Sequence, residues 1–283
     1  MHNIVLCVDL GGTHCSSALI DKGSDCVIET TYFRGHVDSN DTRSKILKQI
    51  QQIIDKTLMS SKEVPTEMKV SCPGPFDYQN GIPLMDKMNK YQDLLNFNLK
   101  EYFSEITNIK PSWIQFNNDA TAFLLGEVFC RGIQRGRVVG LTLGTGLGSS
   151  LFDNGEIEDL NFGSAAYVNG IVEDVISTRG ILKHLQDRFG SVPVQNIKDL
   201  VESESLNDER TEAFDYLARN LSTFIRQYVA PLAPDLIVIG GSIAKAHTYF
   251  FDSLNLPADL KIERASSDER NLFLGLTSET YSI

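Results

Sequence analysis

A chain of 283 residues exceeds one ordinary domain, and 42% hydrophobic against 22% charged residues is the balance of a globular protein rather than a disordered one. Thirty-seven acidic against 26 basic side chains leave a net charge of −11, which excludes a general nucleic-acid partner because a polyanion is repelled on average. A polyphosphate can still bind such a chain where backbone N–H groups and a divalent cation supply positive potential locally.

Five cysteines (Cys7, Cys15, Cys26, Cys72, Cys130) form an odd set without Cys-x-x-Cys spacing, which argues against a disulfide framework and a zinc site. The apolar run from Ile4 to Val8 is too short for a signal segment and lacks a basic region before it. No apolar stretch approaches the roughly 20 residues of a membrane span. The expectation is a soluble, cytoplasmic protein with no membrane partner.

In chain order, residues 4–10 predict a central strand, Gly11-Gly12-Thr13 a turn, and Ala18 to Ile20 a second strand, together a hairpin. Residues 42–58 carry Ile46, Leu47, Ile50, Ile53, Ile54 and Leu58 at helical spacing and predict an amphipathic helix. A short strand at 68–71 leads to the turn Cys72-Pro73-Gly74-Pro75, and another at 113–116 leads to Asn117-Asn118-Asp119 and a helix over 120–129. A strand from Val138 to Leu143 opens a second hairpin through Gly144-Thr145-Gly146-Leu147-Gly148. Helices follow at 171–189 and 209–228, then a strand at 236–239 entering Gly240-Gly241-Ser242. Trp113, the only tryptophan, is expected in a strand and in the core.

The sequence repeats itself. Aligning Asp9-Leu10-Gly11 with Thr142-Leu143-Gly144 sets Ser16-Ser17 opposite Ser149-Ser150, and a one-residue slip sets Leu19-Ile20-Asp21 opposite Leu151-Phe152-Asp153. A hairpin used twice predicts two related lobes facing each other across a cleft. Consecutive N–H groups in a glycine turn make an anion site without a cationic side chain, so two such turns could grip one polyphosphate; each alone is equally a plain hairpin turn. No G-x-x-x-x-G-K-[ST] is present, and Gly144-x-Gly146-x-Gly148 opens a strand rather than a helix, which excludes Walker-type and dinucleotide motifs. Asp9 ends a buried strand beside the first turn, either bonded to that turn or facing phosphates through a hydrated Mg²⁺. Asp119 stands between a strand and a helix, either as a helix N-cap or as the base that orients an acceptor hydroxyl.

Asp9-Leu10-Gly11-Gly12-Thr13, Pro73-Gly74, Asn118-Asp119-Ala120, Leu143 to Gly148 and Ile239-Gly240-Gly241-Ser242-Ile243 together resemble, in order and spacing, the ROK family (repressor, open reading frame, kinase) of sugar kinases. The resemblance covers nearly the whole chain and implies a glucokinase-like enzyme. Its fold would be α/β, a two-lobed actin-like ATPase (ribonuclease H-like, hexokinase-type) architecture with a central interlobe cleft that holds ATP and Mg²⁺. An N-terminal lobe of 1–116, rejoined by a C-terminal helix within 265–283, and a C-terminal lobe of 117–264 are expected. By position, Asp9 would serve the metal through water. Gly11, Gly12 and Thr13 with Gly144, Thr145 and Gly146 would hold phosphate, and Gly240 and Gly241 would lie against the adenosine. Gly74, Asn118, Asp119 and Glu173 would bind the sugar, with Asp119 as general base.

One departure stands out. The family's Glu-x-Gly-His and cysteine cluster, which bind structural zinc, have no counterpart between Gly155 and Gly170, so no structural zinc is expected. The sugar-contacting Glu and His of that element are missing too, and Asp159 and Asn161 are candidates for their place. The resemblance implies 6-phosphorylation of glucose or a related hexose, a small-molecule sugar as partner, and leaves homodimer formation open. The rival readings are a non-catalytic sugar-binding regulator and an actin-like ATPase with water as acceptor.

Overall fold

The computed structural model describes residues 4–86 and 90–278. The chain divides into two compact units, one running through Gly132 and resuming at Asp268, the other Ile133–Ser267.

In the first unit, β1 (Ile4–Leu10) pairs antiparallel with β2 (His14–Asp21), which carries the short β3 (Cys26–Val27) and β4 (Phe33–His36) on its outer side. After α1 (Arg43–Met59), β5 (Glu67–Cys72) pairs parallel with β1. A two-residue hairpin, β6 (Phe76–Asp77) with β7 (Ile82–Pro83), and α2 (Leu99–Thr107) precede β8 (Ile114–Asn118), parallel to β5. Alternate residues of β1 go to opposite faces, as the two-residue strand period requires. Ile4, Leu6, Val8 and Leu10 pack with Ile46, Ile50 and Ile54 of α1, while Val5 and Cys7 pack on the other face. Both faces are thus apolar, and the continuous Ile-Val-Leu-Cys-Val run has its cause.

Trp113 is a correction to the expected strand and core. It closes a one-turn 3₁₀ segment opened by Pro111 and is 53% exposed, and β8 begins after it, burying Ile114 and Phe116 instead. The helix α3 (Asp119–Cys130) follows β8 and stays in the first unit, so the unit continues to Gly132, past the expected boundary at 116.

The second unit repeats the plan. β9 (Arg137–Leu143) pairs antiparallel with β10 (Leu147–Asp153), and β11 (Glu156–Asp159) extends that edge. A small hairpin, β12 (Ala166–Tyr167) with β13 (Gly170–Ile171), precedes α4 (Thr178–Phe189). The helix expected from residue 171 therefore begins later. Ser177 accepts from the Gly180 N–H as its N-cap, and Val172–Asp174 is a separate 3₁₀ turn. Next come α5 (Ile197–Glu202) and α6 (Asn207–Phe224), which widens into a π-helical turn over Ile225–Val229. The buried β14 (Leu236–Gly240) then pairs parallel with β9, and β15 (Ile262–Arg264) pairs with β14.

Each sheet therefore has a hairpin whose first strand also takes a parallel neighbour, β2-β1-β5 in one and β10-β9-β14 in the other. The turn explains the one-residue slip in the internal alignment. Four residues, Gly11 to His14, separate the last pair Leu10 and Cys15, whereas three, Gly144 to Gly146, separate Leu143 and Leu147. The last helix, α7 (Asn271–Thr277), belongs to the first unit, where Phe273 fills the space between Val5, Cys7, Ala18 and Ile20. Residues 279–283 of the expected C-terminal segment lie outside the described residues. No helix among the described residues is long and apolar enough to cross a membrane.

Candidate active site

In the first unit the predicted residues gather at the ends of β1, β5 and β8. Asp9 lies opposite Ser16 on β2 and Ser71 on β5. Burial pushes its carboxyl up to about 6, the negative charges of Asp119 and Glu269 adding to the effect against the Ser71 hydroxyl and the Arg34 cation. Asp9 and Asp119 are therefore close enough for each charge to be felt by the other.

The structure divides Asn118 and Asp119 by role. Asn118 is the N-cap of α3: its Oδ1 accepts from the N–H groups of Ala120 (2.8 Å) and Thr121 (3.2 Å), and its Nδ2 donates to Tyr78 Oη (3.1 Å). Asp119 is thus not the cap but the first residue of the helix, half-buried, where a helix N-terminus favours a negative side chain. Gly74 is part of the same group, since a Cβ there would stand 3.2 Å from Tyr78 Oη and 3.9 Å from Asn118 Nδ2.

The first glycine turn is only partly available to an anion. The Gly11 N–H donates to the His14 carbonyl (2.8 Å) and the Gly11 carbonyl accepts from Tyr91 Oη (2.6 Å). Among the described residues, no hydrogen bond engages the N–H groups of Gly12 or Thr13, both exposed. The second turn behaves alike: the Gly144 N–H donates to the Gly146 carbonyl (3.0 Å), and Thr145 and Gly146 have no such partner among the described residues. Gly11 and Gly144 therefore spend their own N–H groups within the turns. The N–H groups of Gly12 and Thr13, and of Thr145 and Gly146, are the ones these turns leave without a hydrogen bond among the described residues.

Tyr91, which sequence reasoning missed, fixes the first turn from 80 residues away; its side chain is buried, and burial pushes its hydroxyl above the usual phenol range. No local pattern marks it, because its partner is a backbone carbonyl.

In the second unit Glu173 sits on the hairpin turn, its Oε2 accepting from the Leu147 N–H (3.2 Å). The Gly240-Gly241 turn lies against the same hairpin. Gly241 has φ +90°, and a Cβ there would meet the Leu143 carbonyl oxygen at 2.3 Å, so only glycine fits. Gly163 touches the hairpin as closely, a Cβ there lying 2.4 Å from the Leu147 carbonyl oxygen and 3.5 Å from Glu173 Oε2. Beside it, Ser164 Oγ donates to Asn161 Oδ1 (3.2 Å). Asp159 accepts from the Asn161 N–H (2.8 Å). Among the described residues, no three His, Cys, Asp or Glu side chains are gathered as a metal would need.

A hollow of about 850 Å³ between Arg43, Lys48, Gln51, Gln92 and Tyr102 contains none of these residues. It is a shallow groove on the α1 and α2 side, and the chemistry lies at the strand ends instead.

A model of the ROK family matches residues 5–168 and 167–262. This chain belongs to the ROK family. It is 26% identical to a glucokinase of Thermotoga maritima over 281 aligned residues, covering 87% of this chain and 84% of the relative. Two solved structures share the fold. A ROK family glucokinase from Streptomyces griseus, in complex with glucose and AMPPNP, has a TM-score of 0.74 at 18% identity, with 97% of this chain and 98% of that one covered. An inorganic polyphosphate/ATP-glucomannokinase from Arthrobacter sp. strain KM has a TM-score of 0.71 at 18% identity, with 98% of each chain covered. The architecture is the actin-like, two-lobed α/β fold, one lobe for each sheet and its hairpin.

The raised Asp9 gives a prediction whose sign is fixed. A carboxyl that binds its proton more tightly folded than unfolded stabilises the native state at low pH and loses that contribution as pH rises from about 4 through about 6. Asp9→Asn removes this half-buried charge. The variant should be more stable than the unchanged protein at pH about 7.5, by up to ~3 kcal/mol at 1.36 kcal/mol per pH unit, with a higher melting temperature, and the gap should close near pH 4. Differential scanning calorimetry across that range checks it, and a gap that widens towards acid contradicts it.

Proposed function

We propose that this ROK-family sugar phosphotransferase transfers the γ-phosphoryl group of ATP to a hexose hydroxyl, the 6-hydroxyl of glucose foremost, with Asp119 as general base. The observation that carries the reading is the division of labour at the start of α3. Asn118 takes the cap and bonds Tyr78, which leaves Asp119 as a helix-terminal carboxylate within electrostatic reach of Asp9.

In a loose phosphoryl-transfer transition state the acceptor proton leaves late. Asp119 would first accept a hydrogen bond from the hexose hydroxyl, orienting its lone pair, and take the proton as the new O–P bond forms. Asn118 and Gly74 would hold the sugar beside it. The N–H groups of Gly12 and Thr13 in one unit, and of Thr145 and Gly146 in the other, would bind phosphate oxygens. Gly240 and Gly241 would lie against the adenosine. Asp9 would orient the waters of a bound Mg²⁺, whose charge offsets that of the phosphates. Glu173, fixed on the Leu147 N–H, would add a sugar contact. Asp159 or Asn161, beside Gly163, would take the place of the family's missing sugar contacts on that side.

Release of ADP over a panel of hexoses and amino sugars tests the proposal. The expected result is ADP formation that requires a sugar and is fastest with glucose or a close relative. Steady ADP release indifferent to every sugar would assign water as the acceptor. Sugar binding without ATP consumption would assign a regulator.

A further inference from the structure

The first glycine turn is one residue longer than the second, and a histidine ends it. His14 pairs with His36 across β2 and β4, two residues along from the Ser16 and Arg34 pair. Ser16 is in turn the partner of Asp9. Because side chains two residues apart share a face of a strand, His14, His36 and Arg34 stand on the face of Asp9, at the same end of the sheet. All three are exposed.

The contacts tie them to the turn. His14 Nδ1 is hydrogen-bonded with Thr13 Oγ1 (2.9 Å), and the two imidazole rings meet edge to face with centroids 5.8 Å apart. Arg34 Nη1 donates to Glu269 Oε2 (2.7 Å), a pairing that fixes the guanidinium beside the strand end. The turn thus has two N–H groups without acceptors, at Gly12 and Thr13, and a border of one guanidinium and two imidazoles. In a chain of net charge −11 these cationic and protonatable groups gather beside three carboxylates, Asp9, Asp119 and Glu269, of which Glu269 is bonded to Arg34.

We propose that His14, His36 and Arg34 form a basic rim to the first glycine turn that binds the phosphate chain of the donor, with uptake of a proton at His14. The inference rests on the kinase reading and extends it to residues outside its motifs. The charged groups around His14 set the sign. Burial, and then the positive charges of Arg34 and His36, hold its imidazole below the usual range, with Glu269 opposing. His14 is therefore neutral near pH 7 until a phosphate oxygen arrives, and the anion then favours the imidazolium. Binding should tighten as pH falls.

Isothermal titration of the full chain with Mg²⁺ and a non-hydrolysable ATP analogue, in two buffers of different ionisation heat, tests this. His14→Gln with His36→Gln is compared with the unchanged protein at pH about 6 and about 8.5. The comparison cancels the titration of the nucleotide and of Asp9. The expected result is about tenfold weaker binding by the double variant at the lower pH, a gap of twofold or less at about pH 8.5, and a proton uptake, read from the buffer-dependent heat at the lower pH, that is smaller than in the unchanged protein, as for one charge-assisted hydrogen bond. Arg34→Gln should weaken binding at both pH values, with inorganic tripolyphosphate as well as with the nucleotide analogue. Equal binding by the double variant and the unchanged protein at pH about 6 overturns the rim and leaves the kinase reading standing. Failure of the unchanged protein to bind nucleotide overturns both.

Discussion

Asp119→Asn should reduce sugar-dependent turnover by roughly 10²- to 10⁴-fold, the range of a positioned general base, while nucleotide affinity stays within about twofold. The substitution keeps shape and size, and the cap of α3 survives because Asn118 makes both capping bonds. An amide cannot take up the proton that the hydroxyl must lose. The loss should therefore fall on kcat rather than on KM for ATP, and the melting temperature should change little. Steady-state kinetics with both substrates varied would show this. Turnover near that of the unchanged protein would remove Asp119 from the chemistry.

Gly275→Ala should be the most damaging methyl group in the first unit. A Cβ on Gly275 would lie 2.3 Å from the Gly126 nitrogen and 2.4 Å from the Leu125 carbonyl carbon; one on Gly126 would lie 2.6 Å from the Asn271 carbonyl carbon. Both neighbours are main chain, which no rotamer change can relieve, so α3 and α7 would have to separate. Overpacking of this kind costs about 1–3 kcal/mol, or more where backbone must move. At roughly 2–4 °C per kcal/mol for a chain of this size, the melting temperature should fall by about 3–10 °C. Because α3 starts at Asp119, the same displacement should lower kcat, so stability and turnover fall together. An alanine variant that melts with the unchanged protein would mean that the two helices do not meet so closely.

Much of this site was legible before any coordinates. The two hairpins, their glycine turns and the parallel strands beside them were readable because buried central strands are apolar on both faces and glycine marks the turn. Asp9 and Asp119 were readable as charges placed at strand ends. Other features left no local signal. Tyr91 acts through its hydroxyl on a carbonyl 80 residues earlier, and neither its spacing nor its neighbours mark it. The contact of Gly126 with Gly275 joins helices far apart in sequence, and each glycine alone looks like an ordinary weak point in a helix. Trp113 looked like strand and core from its aromatic character, but Pro111 starts a turn that carries it outward. The start of α4 is hidden in the sequence because Ile171, Val172, Val175 and Ile176 give a helical stripe, while Ser177 sets the cap. The spent N–H groups of Gly11 and Gly144 could not be foreseen, since a sequence shows where a turn falls but not which of its donors the turn itself consumes.

The proton-linked rim and the base make separate demands on the same unit. The rim concerns how tightly the donor is held and varies with pH, whereas Asp119 concerns what happens after both substrates are bound.

Product analysis of the glucose reaction bears on the central claim most directly. With γ-labelled ATP and glucose, phosphorus NMR should find the label as a hexose 6-phosphate ester in step with ADP release, and Asp119→Asn should slow that ester by the same factor as turnover. Label recovered only as inorganic phosphate, at a rate unaffected by glucose or by the Asp119→Asn change, would contradict the assignment of a hexose hydroxyl as acceptor and of Asp119 as its base.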